Sequence, residues 1–334
     1  MKDWFEKITG FRELPYAETQ SRLSVENGRL CSTHSSNRFA VGTLEIPTLG
    51  ELRARCAVLG NSSARARVSC IAGDARQLHS EAQYRGGLFQ VASQFNLLEM
   101  VGPSITPAHG VSGYAHDRTQ GPACAIATGA GTIFRNYLVP MGDQLGQSPS
   151  RQIDCLTDVG QALGNSNHSL WTMRNGYALC TQQGLETIDR HLERLPMDEY
   201  DQVRSLLRVG LHWDVQVTDV DVAEQLVTQA YCSALPVAYS QVPRGRWQRF
   251  ASLVLEAAYE CTLLAGMLNA HRGGSNIVLL TRLGGGAFGN ELGWINHAIA
   301  RAIRLARSSD LDIRIVCYGS IPQDLRDMVS EFAS

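Results

Sequence analysis

A glycine-rich segment between two regular elements constrains this chain more than any other feature. It runs from Thr281 to Asn290 and reads Thr-Arg-Leu-Gly-Gly-Gly-Ala-Phe-Gly-Asn. The apolar run 276–280 before it has the length of a buried strand, and apolar side chains recur at helical spacing from Glu291 to Ala306. This pattern predicts a strand, a tight loop and a helix, an arrangement in which loop amides and a helix N-terminus bind phosphate.

The surroundings of the loop indicate a parallel sheet. The next apolar run, Ile313 to Tyr318, predicts a neighbouring parallel strand reached by a right-handed crossover. The glycines also match the pattern GxGxxG, which either a tight strand-to-helix turn or a Rossmann dinucleotide site would explain. The Rossmann fingerprint normally lies in the first strand–helix turn and needs an acidic residue at the end of the next strand. Here the acidic residues precede that strand, so the Rossmann explanation fits less well.

Lysine usage excludes two classes of enzyme. Lys and Arg together number 30 in the 334 residues, and the lysines are Lys2 and Lys7 alone. A Walker-type phosphate loop needs a lysine after its glycines, and pyridoxal or aldolase chemistry needs a lysine that forms a Schiff base. The sequence also has no GxSxG elbow, no HExxH and no clustered Cys/His set. We therefore expect neither a metal ion nor a cofactor.

Charge, cysteines and the first residues bear on location and partners. The formal net charge of −2 makes binding to nucleic acid or membrane by bulk charge unexpected. The first seven residues are charged and lack an apolar signal core, and the nine cysteines form no CxxC pair. No run of about 18 apolar residues is present. These features predict reduced thiols, a cytoplasmic location and no nucleic-acid or membrane partner.

Apolar periodicity elsewhere predicts an α/β domain. The segments that read as strands are 67–72, 88–92, 213–218 and 226–232, and a long helix is predicted at 246–271. We expect one domain over residues 41–334, preceded by a lead-in segment at 1–40 and carrying a helical insertion at about 150–207. The strand 88–92 ends in polar residues, where open α/β sheets place their ligands.

The order of these motifs resembles that of macrodomains. Members of this family carry a strand ending in Gly-Asp, a strand closing in Asn-rich residues and glycines, and a late glycine loop between strand and helix. The run Gly286 to Gly289 is similar to the phosphate loop of poly(ADP-ribose) glycohydrolases. Over about residues 40–320 the chain more closely resembles the MavL-like, arginine-specific ADP-ribosyl hydrolase macrodomains. The segments that carry these resemblances are 70–78, 88–99, 117–137, 229–236 and 280–290.

Two departures from the family pattern bear on the expected activity. The Asn-Ala-Ala-Asn signature of ordinary macrodomains is replaced by Ser93-Gln94-Phe95-Asn96. The Gly-Gly-Gly and paired Glu of the glycohydrolases are also missing from their expected places. Cleavage of poly(ADP-ribose) chains is therefore not expected.

The resemblance implies a three-layer α/β/α fold with a mixed central sheet, helical insertions and a defined set of site residues. It makes Glu99 and Asp117 the catalytic carboxylates; the alternatives are a surface charge for Glu99 and a loop anchor through Thr119 for Asp117. Asp74 becomes the acceptor for the adenine amino group, although Asp after Gly also commonly caps a helix. Gln94 and Asn96 would bond the distal ribose hydroxyls, and the alternative for both amides is to cap turns. The ligand-binding residues that the resemblance implies are Asp74, Gln94, Asn96, Thr119, Gln120, Gly284, Gly285, Gly286, Ala287, Phe288, Gly289, Asn290 and Tyr318.

The implied function is removal of ADP-ribose from ADP-ribosylated arginine side chains of proteins, so the expected partners are ADP-ribose and a modified protein. One carboxylate would stabilise an oxocarbenium-like transition state and orient water. The other would bind the guanidinium in a bidentate pair, and the assignment between Glu99 and Asp117 stays open. Two alternatives remain: a reader that binds ADP-ribose without hydrolysing it, and a Rossmann-type NAD-dependent oxidoreductase.

Overall fold

The computed structural model of the chain describes residues 2–60, 64–219 and 224–332. The strands in these ranges are β1 (Leu23–Glu26), β2 (Arg29–Ser32), β3 (Ser35–Ala40), β4 (Thr43–Glu45), β5 (Arg67–Ala72), β6 (Leu88–Ala92), β7 (Pro140–Met141), β8 (Gln144–Leu145), β9 (Trp171–Arg174), β10 (Tyr177–Cys180), β11 (Gly210–Gln216), β12 (Leu226–Cys232), β13 (Ile277–Leu280) and β14 (Asp312–Cys317). The α-helices are α1 (Trp4–Thr9), α2 (Tyr16–Ser21), α3 (Leu49–Ala57), α4 (Ala75–Leu78), α5 (Gln120–Ala127), α6 (Gly129–Ile133), α7 (Thr157–Ala162), α8 (Gln182–Arg194), α9 (Met197–Ser205), α10 (Gln248–His271), α11 (Leu292–Leu305) and α12 (Gln323–Ser330).

A seven-stranded mixed sheet forms the centre of the molecule, in the order β4-β11-β12-β6-β13-β14-β5. The strands from β12 to β5 in this order are parallel, whereas β11 is antiparallel to both β12 and β4. Val278 of β13 is in register with Leu88 of β6 and with Ile313 of β14. The predicted parallel neighbour of the glycine-loop strand is therefore confirmed. The carboxyl ends of β12, β6, β13, β14 and β5 meet at one edge of the sheet.

Helices cover both faces of this sheet. Val278 and Leu280 belong to a large buried cluster with the apolar sides of α3, α10 and α11. Their neighbour Leu279 belongs to a second cluster with Phe89 of β6 and Leu78 of α4. Successive strand residues thus face opposite layers, as the period of two requires. The predicted three-layer α/β/α fold with a mixed sheet is confirmed.

The N-terminal segment packs against the rest of the chain. The small sheet β1-β2-β3 and helix α1 belong to a third buried cluster, in which Trp4, Phe5 and Ile8 join Ala130 and Ile133 of α6. Helices α7, α8 and α9 and the hairpin β9-β10 lie within the range predicted as a helical insertion. The domain limits at residue 40 and at 150–207 stay predictions.

Helix α10 is the central helix of the larger buried cluster. By length and composition alone, the helical stretch Arg244–His271 is the one candidate membrane span in the described residues. Within its most apolar window, however, 78% of the residues are buried by the rest of the chain. This burial is typical of the core helix of a folded domain. The glycine at position 266 marks its close approach to the sheet, because a Cβ there would lie 2.4 Å from Val278 Cγ2.

We expect Gly266→Ala to destabilise the fold, because the added methyl group overlaps a fully buried strand residue. Overpacking of this kind costs about 1–3 kcal/mol. Gly293→Ala is the matched control, since Gly293 also lies in an α-helix and a Cβ there meets no atom within 4 Å. Thermal unfolding should show a lower midpoint for Gly266→Ala and an unchanged or higher midpoint for Gly293→Ala. Equal midpoints would contradict the close packing of α10 on β13.

Candidate active site

A cleft opens at the carboxyl ends of β6, β12 and β13, the edge of the sheet that the sequence pattern predicts for a ligand. Its volume is about 220 Å³. The residues that line it are Ala92, Ser93, Gln94, Glu99, Met100, Val101, Asp117, Thr119, Gln120, Gly121, Pro122, Tyr177, Ala234, Tyr239, Thr281, Arg282, Leu283, Gly284, Gly286, Ala287 and Phe288.

Glu99 is the buried acid of this cleft. Its side chain is 1% exposed, and both carboxylate oxygens lack a hydrogen-bond donor among the described residues. The nearest cation is Arg135, whose Nη2 lies 3.6 Å from Glu99 Oε2. Burial raises the pKa of Glu99 to about 8, and the charge of Arg135 opposes this shift. A buried, unpartnered carboxyl facing a cleft is costly for the fold and is typical of a functional group.

The turn before Glu99 is held by two side chains, Gln94 and Asn96, that the family resemblance assigned to the ligand. Both polar atoms of the Gln94 amide bond the backbone of Met100, at 3.2 Å to its carbonyl and 2.7 Å from its N–H. Asn96 is fully buried outside the cleft lining, and its amide binds Gln152 and the N–H of Leu98. Leu97, which lies between Asn96 and Leu98, adopts a left-handed conformation with φ of 62°. In this structure Gln94 and Asn96 therefore shape the turn.

Asp117 and Thr119 lie on the wall of the cleft formed by the start of α5. Asp117 is partly exposed, and its Oδ1 accepts a hydrogen bond of 2.8 Å from Thr119 N. The loop-anchor role considered for Asp117 is thus observed, and the same side chain also faces the cleft. The Gln120 amide binds the carbonyl of Gln90 and the N–H of Ala92, both at 2.8 Å, which leaves it no free polar atom in this state.

Gly121 allows α5 to begin directly against the segment from Ala92 to Glu99. A Cβ at this position would lie 1.9 Å from the carbonyl oxygen of Ala92 and 3.2 Å from Glu99 Cγ. A side chain is therefore sterically excluded. The sequence signal for this role is a lone glycine before a proline, which by itself predicts only a turn or a helix start.

The glycine loop forms the opposite wall and presents unpaired backbone amides. Among the described residues, no hydrogen-bond acceptor is assigned to the N–H groups of Gly286, Ala287 or Phe288. A Cβ at Gly286 would meet no protein atom within 4 Å. Successive unpaired N–H groups in a tight loop make a concave site for an anion. The predicted strand–loop–helix unit is observed as β13, this loop and α11.

The remaining predicted loop residues fix its shape. Gly284 and Gly289 adopt left-handed conformations with φ of 73° and 71°. Gly285 donates to the carbonyl of Arg282. Asn290 is buried and donates through Nδ2 to the carbonyl of Leu235 at 2.8 Å, so it ties the loop to the segment after β12. Gly285, Gly289 and Asn290 do not line the cleft.

Tyr259 of α10 holds the loop from below. Its hydroxyl donates to the carbonyl of Thr281 at 2.7 Å and accepts from Leu283 N at 2.8 Å. The hydroxyl therefore joins the core helix to the first residues after β13. Its role depends on a contact between segments that are distant in the sequence, so no local pattern indicates it.

The cleft also contains side chains outside the predicted set. Two of these, Tyr177 and Tyr239, form an aromatic group with the predicted residue Phe288, with ring centroids 5.1–5.8 Å apart. Arg282 reaches Asp324 and Asn296 through Nη2, whereas its buried Nε has no partner in the described part of the chain. Arg282 and Tyr239 come after β13 and β12, so their position beyond a strand end could have marked them as cleft residues. Tyr177 has no such position, and no sequence pattern marks it.

Two predicted ligand residues lie farther along the same sheet edge. Tyr318 follows β14 and is 88% exposed, and Asp74 follows β5, the next strand. Asp74 caps α4, because its Oδ1 accepts from Arg76 N at 2.8 Å and Gln77 N at 3.4 Å. Neither residue lines the cleft itself. With strands about 4.8 Å apart, the ends of β14 and β5 lie roughly 5 and 10 Å from that of β13.

The donor set of the described residues offers no site that resembles a metal centre. Within 2–60, 64–219 and 224–332, no group of three or more His, Cys, Asp or Glu side chains is arranged so that it could hold a metal ion. The cysteines in these ranges are free thiols.

The comparisons with known proteins give partial likenesses. No protein-family model matches the chain, and no curated protein matches it. Poly(ADP-ribose) glycohydrolase from Deinococcus radiodurans in complex with ADP-ribose aligns with 86% of this chain and 92% of its own, at 11% identity and a TM-score of 0.42. The glycohydrolase from Thermomonospora curvata aligns with 87% of this chain and 84% of its own, at 12% identity and a TM-score of 0.40. At these TM-scores the likeness assigns no activity to this chain.

We expect Tyr259→Phe to loosen the glycine loop without unfolding the protein, because it removes one donor and one acceptor from the loop's base. Loss of these bonds should cost about 1–2 kcal/mol locally, which corresponds to roughly 5–30-fold faster amide exchange. Hydrogen-exchange mass spectrometry over residues 281–289 measures this. Tyr200→Phe is the control, since the Tyr200 hydroxyl interacts with nearby charges but has no hydrogen bond among the described residues. Unchanged exchange in Tyr259→Phe would refute the anchoring role.

Proposed function

We propose that this protein hydrolyses the bond between ADP-ribose and an arginine side chain of a modified protein. The observation that carries the proposal is the Glu99 carboxyl, buried and without a hydrogen-bond donor, in a cleft whose other wall offers free backbone amides. The amides suit the diphosphate of ADP-ribose, and the carboxyl suits the anomeric carbon of its distal ribose. The sequence resemblance to ADP-ribosyl hydrolase macrodomains supports the same ligand.

The size of the cleft is compatible with partial enclosure of ADP-ribose. Its volume of about 220 Å³ is below the range of about 300–1,000 Å³ usual for whole ligand pockets. The distal ribose and the diphosphate would occupy the cleft between Glu99 and the glycine loop. The adenine would lie along the sheet edge toward Tyr318 and Asp74. Capping of α4 uses one oxygen of Asp74, so the other stays available for the adenine amino group.

The two carboxylates suit different roles in this arrangement. Glu99 is buried at the cleft and its carboxylate oxygens have no hydrogen-bond donor among the described residues, so we assign it to the oxocarbenium-like transition state and the attacking water. Asp117 is partly exposed on the cleft wall, so it can meet an arginine side chain that arrives from a protein surface. A carboxylate there can bind the guanidinium in a bidentate pair. The substrate guanidinium already carries its proton, so departure of this group requires no acid.

A second candidate is hydrolysis of an O-linked ADP-ribose, and the raised pKa of Glu99 is the observation that favours it. An alkoxide leaving group needs a proton, and a carboxyl that is still protonated near neutral pH can supply it. The direction of the pH dependence separates the candidates. An ionised Glu99 gives kcat/KM that rises with pH through about 8, whereas a protonated Glu99 gives kcat/KM that falls.

The alternatives from the sequence have different standing. A reader would share most of the binding residues but has no use for an unpartnered buried acid beside the ribose. A Rossmann oxidoreductase is disfavoured, because the sheet carries antiparallel strands and the glycine loop follows β13 rather than the first strand.

We expect Gly286→Val to abolish most ADP-ribose binding, because the side chain would stand in the space proposed for the diphosphate. The protein should still fold, since a Cβ at Gly286 meets no protein atom within 4 Å. Gly113→Val is the matched control: its Cβ is equally free of contacts, and it lies outside the cleft lining. Titration calorimetry with ADP-ribose measures both. Wild-type affinity in Gly286→Val would show that the diphosphate does not bind over this loop.

We expect release of ADP-ribose from arginine-modified protein and little from glutamate- or serine-modified protein. A carboxylate leaving group beside Glu99 and Asp117 would be repelled, whereas a guanidinium is attracted. Glu99→Gln should lower kcat roughly 100-fold or more, and Asp117→Asn should lower kcat/KM for the arginine substrate. ADP-ribose binding should survive in both variants.

The assay measures ADP-ribose release from three substrates of defined linkage, in EDTA and over a range of pH. Glu291→Gln is the control for loss of a carboxylate near the glycine loop but outside the cleft lining. Equal rates on all linkages would rule out the proposed selectivity. Full activity in Glu99→Gln would remove the catalytic assignment, and activity lost in EDTA but restored by a divalent cation would contradict a metal-free mechanism.

A further inference from the structure

A fully buried arginine lies directly behind Glu99. Arg135 is 0% exposed and is not among the residues that line the cleft. It lies in the π-helical turn Phe134–Leu138, a local irregularity that is frequent at functional sites. Burial of a guanidinium is costly and is tolerated only where other groups compensate it.

The guanidinium connects both ends of the turn that presents Glu99. Its Nε donates to the carbonyl of Leu97 at 3.0 Å, and Nη2 lies 3.6 Å from Glu99 Oε2. Nη2 also donates to Thr132 Oγ1 at 3.1 Å. Nη1 contacts His212 Nδ1 at 3.3 Å. The rigid fork of arginine makes these contacts at once, which the point charge of a lysine could not do.

An aromatic ring holds the guanidinium from one side. The centre of the Arg135 guanidinium lies 3.8 Å from the centroid of the Tyr231 ring, the geometry of a cation–π contact. The Tyr231 hydroxyl is in turn hydrogen-bonded to Gln229 Oε1, which also accepts from Thr128 Oγ1 at 2.7 Å. A buried network thus fixes the ring and, through it, the arginine.

We propose that Arg135 is the positioning residue of this site: it holds the Glu99 carboxylate toward the cleft and supplies the charge that favours its ionised form. The inference rests on the proposed function, since it assigns Glu99 its role there. Arg135 reaches no ligand itself. It acts through the turn, because its fork joins the Leu97 carbonyl and the Glu99 carboxylate, and Tyr231 prevents it from swinging away.

The other titratable groups around this pair are neutral near pH 7. Burial raises the pKa of Tyr114, Cys124 and Tyr231 well above their usual values, so these groups keep their protons. Burial, followed by the charge of Arg135, lowers the pKa of His212 to about 3, so this imidazole is uncharged. Asp117 and Arg282 line the same cleft, but Arg135 is the cation within ion-pair distance of Glu99 among the described residues. Without Arg135, Tyr114 alone would oppose the effect of burial on the carboxyl, and the pKa of Glu99 would rise further.

The test compares Arg135→Gln, Arg135→Lys and Tyr231→Leu with wild type. For Arg135→Gln, we expect the rising limb of the kcat/KM profile to shift by about one pH unit or more to higher pH, with unchanged affinity for ADP-ribose. Arg135→Lys should bring the midpoint of the rising limb part of the way back toward the wild-type pH, because it keeps the positive charge. It should not restore kcat, because lysine lacks the forked guanidinium that joins Leu97 to Glu99. Tyr231→Leu should shift the limb in the same direction as Arg135→Gln, whereas Tyr231→Phe, which keeps the ring, should retain the midpoint.

Arg204→Gln is the control for loss of a largely buried, ion-paired arginine, because the Arg204 side chain is 11% exposed and pairs with Asp201 and Glu256 away from the cleft. The ionisation of Glu99 is also measured directly, by ¹³C NMR of glutamate-labelled protein, with Glu99→Gln to assign the signal. An unmoved Glu99 midpoint in folded Arg135→Gln and Tyr231→Leu overturns the inference. Full turnover in Glu99→Gln would instead refute the proposed function, whereas the NMR comparison would still report whether Arg135 governs Glu99.

Discussion

The proximity of a buried carboxyl and a buried guanidinium is the interaction on which the candidate site depends. Glu99 and Arg135 are distant in sequence and lie 3.6 Å apart behind the cleft. Pairing lowers the cost of burying two charges. In this pair the distance is too long for a hydrogen bond, so both buried carboxylate oxygens have no hydrogen-bond donor among the described residues. The left-handed turn at Leu97, the glycine at 121 and the π-helical turn at Arg135 all serve this placement. The fold therefore keeps a buried carboxyl at position 99, where an apolar side chain would cost less free energy.

The glycine loop contributes the complementary half of the site. Gly284 and Gly289 turn the backbone so that the amides of residues 286–288 meet no acceptor among the described residues. Tyr259 and Asn290 hold the loop in place through hydrogen bonds to the carbonyls of Thr281 and Leu235. The free amides and the buried acid thus belong to separate segments that meet at the carboxyl ends of neighbouring parallel strands. This division suits the proposed ligand, which carries both a diphosphate and an anomeric carbon.

The parts of this architecture that are local in sequence were predictable. The unit from β13 to α11 follows from a short apolar run, a glycine cluster and a helical periodicity, and β5 and β6 follow from equally local patterns. Side-chain partners were not predictable, because they depend on tertiary contacts. Gln94, Asn96 and Gln120 have the chemistry of ligand groups, yet all three bind protein groups in this structure. Arg135 and Tyr259 act across long sequence separations, so their roles leave no local signal.

The most direct test of the account is a crystal structure of the protein with ADP-ribose bound. The account predicts diphosphate oxygens within about 3 Å of the amides of Gly286, Ala287 and Phe288, and the anomeric carbon of the distal ribose within about 3.5 Å of the Glu99 carboxyl or of a water bound to it. The adenine should lie toward Tyr318. A diphosphate bound away from the glycine loop, or an anomeric carbon that Glu99 cannot reach, would contradict it.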